Sequence, residues 1–211
     1  DKLTRKPQQL TFDNLLDAVE HLQIISIELD ADDDAQLIFE SLNSTGLALT
    51  EADKIRNYLL MSLTAEEQQL CFKNYWQKIE SATEYNPTKF LRDYLTIKQQ
   101  LQRPVRLSNI YFEWKKYMDG RDRKQEMVEM LDYARYYQQV TEAQMATSKL
   151  SAKMRHICNI ESDVTNVFFI QFLKYAATNN LSYDEIDKVI DVVENYLARR
   201  IICNMPGNAL T

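Results

Sequence analysis

Three glycines and four prolines in 211 residues leave this chain poor in the residues that make tight turns. Sheet-rich folds need many such turns, so the scarcity argues against them and favours helices. Glycine scarcity also removes the phosphate cradles: neither G-x-G-x-x-G nor G-x-x-x-x-G-K-[ST] occurs. The two histidines, His21 and His156, are too few and too scattered for a metal site with helical spacing, and neither stands in a triad-like motif. Both read as packed or surface residues. Cys71, Cys158 and Cys203 are odd in number and never in C-x-x-C spacing, which excludes a zinc knuckle and a disulfide framework. They are expected to be buried free thiols in a reducing cytoplasm. No apolar run approaches the roughly 18 residues of a membrane span, and no signal peptide opens the chain. The first residue is not Met, so the chain is expected to be an excerpt or a processed product.

What is present is ordinary in bulk: 45% apolar and 27% charged residues suit a globular core. The net charge of −6 hides an asymmetry. Residues 1–70 carry five basic and fourteen acidic side chains, whereas residues 89–124 carry ten basic and four acidic ones. In the second stretch Arg92, Arg103, Arg106, Lys115, Lys116, Arg121, Arg123 and Lys124 are interleaved with Tyr94, Tyr111, Trp114 and Tyr117. Such a pattern could face nucleic acid; a solvated helix surface is the simpler reading, because helices normally carry charges on their outer face.

Periodicity gives mainly α structure. A short helix over 11–21 has Leu15, Leu16, Val19 and Leu22 on one side. Residues 23–29 alternate like a strand rich in Ile, the one convincing strand in the chain. A lone strand cannot satisfy its backbone groups, so it is expected to be the remnant of a truncated sheet. The acids over 30–34 imitate a calcium loop, but Ala35 and Ser41 occupy the positions that require Gly and Glu. They are expected instead to charge the N-terminus of a helix over 35–42. Thr50-x-x-Asp53, Thr64-x-x-Glu67 and Ser182-x-x-Glu185 have capping-box form. Pro87 fits the first turn of a helix carrying Phe90, Leu91, Tyr94 and Leu95. Further helices are expected from Ser108 to Met118, from about Arg121 to Ala143 with Tyr133, Tyr136 and Tyr137 packing inward, and from Ser182 to Cys203. Residues 163–178 are apolar almost all round, which places them at the centre of a multi-helix bundle. Pro206-Gly207-Asn208 is expected to end the last helix.

One turn stands out as a candidate site. Asn43-Ser44-Thr45-Gly46 joins two helices, and its backbone N–H groups could form an anion-binding nest, with Ser44 and Thr45 adding hydroxyls. A plain helix–turn–helix corner is the competing reading.

The run Phe39-Glu40-Ser41-Leu42-Asn43-Ser44-Thr45-Gly46-Leu47-Ala48-Leu49 resembles the second signature, F-x-x-L-N-x-x-G-x-x-L, of the ParB-like half of GmrSD-type restriction endonucleases. Phe90-Leu91-Arg92-Asp93-Tyr94-Leu95, the apolar Phe168-Phe169-Ile170-Gln171-Phe172-Leu173 and Glu194-Asn195-Tyr196-Leu197-Ala198-Arg199-Arg200 are similar to later segments of that family in the same order. The resemblance implies a bacterial defence enzyme with a ParB-like nucleotide-binding half and an HNH nuclease half, cutting foreign and often modified DNA. It implies that Asn43, Ser44, Thr45 and Gly46 lie by the nucleotide and that Phe39 packs beneath it. The first signature, D-G-Q-Q-R, and the nuclease histidine are absent. The chain is therefore expected to hold the end of the ParB-like domain over 1–62, a helical bundle over 63–205 and the start of a linker over 206–211. On that reading it is non-catalytic and binds no cofactor or metal of its own, while the parent uses an NTP and a divalent metal. Its expected partners are the missing ParB-like and HNH portions, DNA and a second copy of itself, with no membrane. A helical interaction or oligomerisation module without nucleic-acid function is the alternative.

Overall fold

The computed structural model of the protein describes residues 11–23, 38, 49–61, 63–160 and 163–204. The expected strand beyond Gln23, the acidic run over 30–34, Phe39, the turn Asn43 to Gly46 and the linker over 206–211 lie outside these residues. The described chain is mainly α, with no strand among the described residues. In chain order the helices are α1 (Phe12–Glu20), α2 (Glu51–Leu60), α3 (Ala65–Cys71), α4 (Gln77–Ala82), α5 (Pro87–Lys98), α6 (Ile110–Tyr117), α7 (Arg123–Thr141), α8 (Ser148–Asn159), α9 (Asp163–Thr178) and α10 (Tyr183–Ile202). A π-helical turn, Phe72–Trp76, joins α3 directly to α4, and a 3₁₀ turn, Leu107–Asn109, leads into α6.

Capping sets where these helices begin. Thr11, Thr50, Thr64 and Ser182 each accept a hydrogen bond from the N3 backbone N–H through the side chain, while the cap's own N–H donates to the N3 side-chain oxygen. Asp122 and Thr147 cap α7 and α8 in the simpler one-sided way. Pro87 stands in the first turn of α5, where its missing N–H costs nothing.

The C-termini show how a chain so poor in glycine stops its helices. Gln100, Ala143 and Asn180 take left-handed conformations, with φ of +51°, +51° and +52°. Each places the next N–H on the carbonyl five residues back: Leu101 on Thr96 at 3.0 Å, Gln144 on Gln139 at 2.9 Å and Leu181 on Ala176 at 2.9 Å. This is the Schellman arrangement that usually recruits glycine. Asn204, beyond the end of α10, is also left-handed, at φ +49°, and its N–H bonds the Ile201 carbonyl at 3.0 Å. The last helix ends at Ile202, and the residues expected to end it, Pro206-Gly207-Asn208, lie outside the described ones.

The centre of the bundle is α5. Phe90, Leu91, Asp93, Tyr94, Leu95, Thr96 and Ile97 are all buried, and α2, α6, α7 and α9 pack around them. The expected centre, α9, is instead one-sided: Phe169, Ile170, Leu173 and Ala176 face the core, while Phe168 and Tyr175 are exposed. Counting apolar side chains misled there, because aromatic residues on the outer face look identical in sequence to core ones. Tyr133 and Tyr137 pack inward on α7, with Tyr136 half-buried. A polar knot links the three central helices. The hydroxyls of Tyr94 on α5 and Tyr117 on α6 both donate to the buried carboxylate of Glu126 on α7, the second at 2.8 Å. Burial first, then the neighbouring carboxylate, pushes both phenols well above the ordinary tyrosine range.

The cysteines are all unpaired, but only Cys71 is buried outright; Cys158 is half-buried and Cys203 is exposed, which corrects the expectation of three buried thiols. Cys203 is the cap of α10, six residues beyond the last core residue of that helix, Leu197. His21 and His156 are exposed and bond Asp17 and Glu194. No helix among the described residues is long and apolar enough to cross a membrane.

Candidate functional site

Two features of the bundle join distant parts of the chain: the seat of α2, and a groove along α7. The seat begins with the Thr50 cap, whose Oγ1 accepts the Asp53 N–H at 3.1 Å. That start sets the phase in which Ala52, Ile55 and Leu59, spaced three and four apart, face the core. Ile55 and Leu59 are completely buried. Burying two such side chains contributes on the order of 3–6 kcal/mol.

Polar contacts fix the orientation. Glu51 Oε2 accepts the backbone N–H of Tyr111 at 2.8 Å. Tyr111 is the second residue of α6, a helix whose own N-cap residue, Asn109, provides no side-chain bond. A carboxylate from α2 thus accepts a first-turn N–H of α6 and meets the positive end of that helix's dipole. Glu51 also holds Lys54 at 2.7 Å. In the other direction, Arg123 at the start of α7 donates to the Tyr58 carbonyl at 2.8 Å and lies 4.4 Å from the centre of the Tyr58 ring. Tyr58 and Tyr111 meet edge to face at 6.4 Å. Arg56 reaches Glu80 on α4 at 3.5 Å. Three helices are therefore clamped onto α2.

The basic residues read from the sequence divide by place. Arg92 is mostly buried and pairs with Asp93 at 2.9 Å. Arg123 is committed to Tyr58. Lys124 pairs with Glu67, whose carboxyl is held down to about 2 by the Lys124 ammonium and by the Thr64 cap. Lys116 bonds Glu113 at 3.1 Å, and Arg121 donates to the Tyr117 carbonyl at 2.8 Å while covering that ring. Arg103, Arg106, Lys115, Lys116 and Arg121 are exposed on α6 and the loops beside it. Glu51 and Tyr58, which do the clamping, carry no sequence signal for it: their partners lie 60 and 65 residues away.

The groove runs between the α3–α4 helix and α7, with a volume of about 730 Å³. Asn74, Tyr75 and Lys78 form one wall, and Gln125, Val128 and Arg135 stand on the other, with Lys174 of α9 at its side. Among the described residues no cluster of His, Cys, Asp and Glu is arranged to hold a metal.

Residues 2–60, which contain α1 and α2, match the family described as GmrSD restriction endonuclease, N-terminal domain. No curated protein and no solved structure matches the chain.

Proposed function

We propose that this chain, whose residues 2–60 match the N-terminal domain of GmrSD restriction endonucleases, is a non-catalytic helical connector in an enzyme of that type. It links a nucleotide-binding ParB-like half to an HNH nuclease half in an enzyme that cuts foreign DNA. One observation supports this reading above the others: α2, the end of the family-matched stretch, is built into the core of the helical bundle through Ile55, Leu59, the Glu51–Tyr111 bond and the Arg123–Tyr58 bond. A displacement at the turn Asn43 to Gly46, which precedes α2, would be carried by that rigid helix to α6 and α7. The nucleotide and a divalent metal belong to the flanking halves. The exposed cations Arg103, Arg106, Lys115, Lys116 and Arg121 form the surface offered to DNA, and cytoplasmic DNA is the setting.

The test separates transmission from binding. In the enzyme carrying both halves, Glu51→Ala combined with Arg123→Ala is expected to lower nucleotide-dependent DNA cleavage two- to thirtyfold. That range corresponds to a coupling of about 0.5–2 kcal/mol. Nucleotide binding, measured separately, is expected to stay unchanged, whereas Asn43→Ala is expected to weaken it. Unchanged cleavage in the double variant would overturn the connector role. The alternative, an oligomerisation module, draws on the exposed Phe168, Tyr175, Val192, Tyr196 and Ile202 of α9 and α10. Light scattering decides it: a strict monomer at high concentration removes that reading.

A further inference from the structure

A helix rarely keeps a π turn without a use, because the wider turn weakens its hydrogen bonding; such insertions concentrate at functional sites. Here the turn Phe72–Trp76 has a clear geometric effect. Its closing bond runs from the Gln77 N–H to the Phe72 carbonyl. The extra residue lets Cys71 and Trp76, five apart, both face the core, with Ile79 following them inward. Asn74, exposed, and Tyr75, half-buried, line both the 730 Å³ groove and a smaller adjoining cavity of about 220 Å³.

The charges along this groove do not cancel. Lys98 bonds Glu129 at 2.7 Å, and Lys174 lies 3.6 Å from Glu129 and 3.4 Å from Asp132. Burial works against the ionised Glu129, but Lys98 and Lys174 outweigh it and hold the carboxyl below its ordinary range. Both acids of the groove are thus committed to lysines. Lys78 on one wall and Arg135 on the other are exposed, and neither has a carboxylate within ion-pair distance among the described residues. The same groove is also lined by a half-buried tyrosine ring, Tyr75, and by two primary amides, Asn74 and Gln125, each able to donate and accept. Two unneutralised cations on facing walls, an aromatic face and paired amides match the three parts of a nucleotide: phosphate, base plane and base edge. The volume lies within the range of small-molecule sites.

We propose that this groove binds a nucleotide unit, with its phosphate between Lys78 and Arg135, its base against Tyr75 and its base edge read by Asn74 and Gln125. None of these residues belongs to the turn Asn43 to Gly46 or to the basic surface of α6. The site is therefore separate from the connector role, and its failure would leave that role standing. The same chemistry is offered by a free nucleotide and by one residue of a single strand.

The experiment measures binding of a fluorescein-labelled twelve-nucleotide single strand by anisotropy and of ATP by calorimetry, at low salt. It compares the parent chain with Lys78→Glu/Arg135→Glu and with Lys188→Glu/Arg155→Glu, an equal charge change on exposed positions of α10 and α8. The groove pair is expected to weaken binding at least tenfold and the control pair less than twofold. Loss of strand binding assigns the site to a strand, and the salt slope should then fall by about 0.7 for the one phosphate released. Loss of ATP binding alone assigns it to a free nucleotide. Tyr75→Ala, checked for an unchanged melting curve, should weaken binding about tenfold through lost stacking. The proposal is overturned if neither probe binds, if the groove pair binds like the control pair, or if poly-glutamate competes as well as the strand.

Discussion

At the scale of single residues, the pairing of Glu67 with Lys124 gives the sharpest prediction. Glu67 sits at N3 of α3, where its carboxylate accepts the Thr64 N–H and also accepts from Lys124. Its carboxyl lies at about 2, below the ordinary 4.5, so the folded chain binds fewer protons there than the unfolded one. The sign follows: its contribution is complete above about pH 5 and is lost as pH falls toward 2. Lys124→Ala should move the Glu67 midpoint upward in an NMR titration, though short of 4.5 because the Thr64 cap remains. It should also flatten the acid limb of stability between those pH values. High salt should shrink the difference, since both side chains are exposed. An unmoved midpoint would mean that Lys124 contributes nothing. Little of this was legible from sequence. Thr64 and Glu67 are neighbours in a recognisable cap, whereas Lys124 lies 57 residues away and meets Glu67 only because the π turn and α4, which continue α3, pack along α7. Arg92 shows the converse: counted among a basic cluster, it lies mostly buried against Asp93.

At the scale of elements, starts were easier to read than stops. The capping boxes at Thr50, Thr64 and Ser182 and the proline at Pro87 stand where their spacing places them, because each depends on contacts within one turn. Stops rest on left-handed residues that sequence seldom announces when they are not glycine. Gln100 is exposed and holds φ +51° to close α5, a conformation that costs a residue with a Cβ about 1 kcal/mol. Gln100→Gly should therefore raise stability by roughly 0.5–1 kcal/mol in urea titration. A loss of stability would show that the side chain contributes more than its backbone costs. The reading over 144–162 missed α8 altogether, although Thr147 and the spacing of Leu150, Met154 and Ile157 mark it. Three apolar positions in an otherwise polar stretch are a weak signal. In the structure α8 packs on α10, where Lys149 and Lys153 also pair with Asp187 and Asp191. The π turn at Phe72–Trp76 could not have been read at all, since it is imposed by tertiary packing of Cys71 and Trp76.

At the scale of the molecule, helical class was written in composition, and the family resemblance agrees with the match over residues 2–60. The interior arrangement was not. The hydrophobic count favoured α9 as the centre, but α5 holds it, because a centre is defined by neighbours on all sides rather than by its own apolar content. The candidate turn from Asn43 to Gly46 lies outside the described residues, and what the structure adds is the helix that follows it. If α2 is a rigid extension of the bundle, it must open only when the bundle opens. Native-state amide hydrogen exchange across a urea series measures this directly. The account predicts that the amides of Ile55 and Leu59 open with the same free energy and urea dependence as those of Leu91 and Leu95 in α5. Exchange of α2 at a distinctly lower free energy, as a separately opening unit, would contradict it.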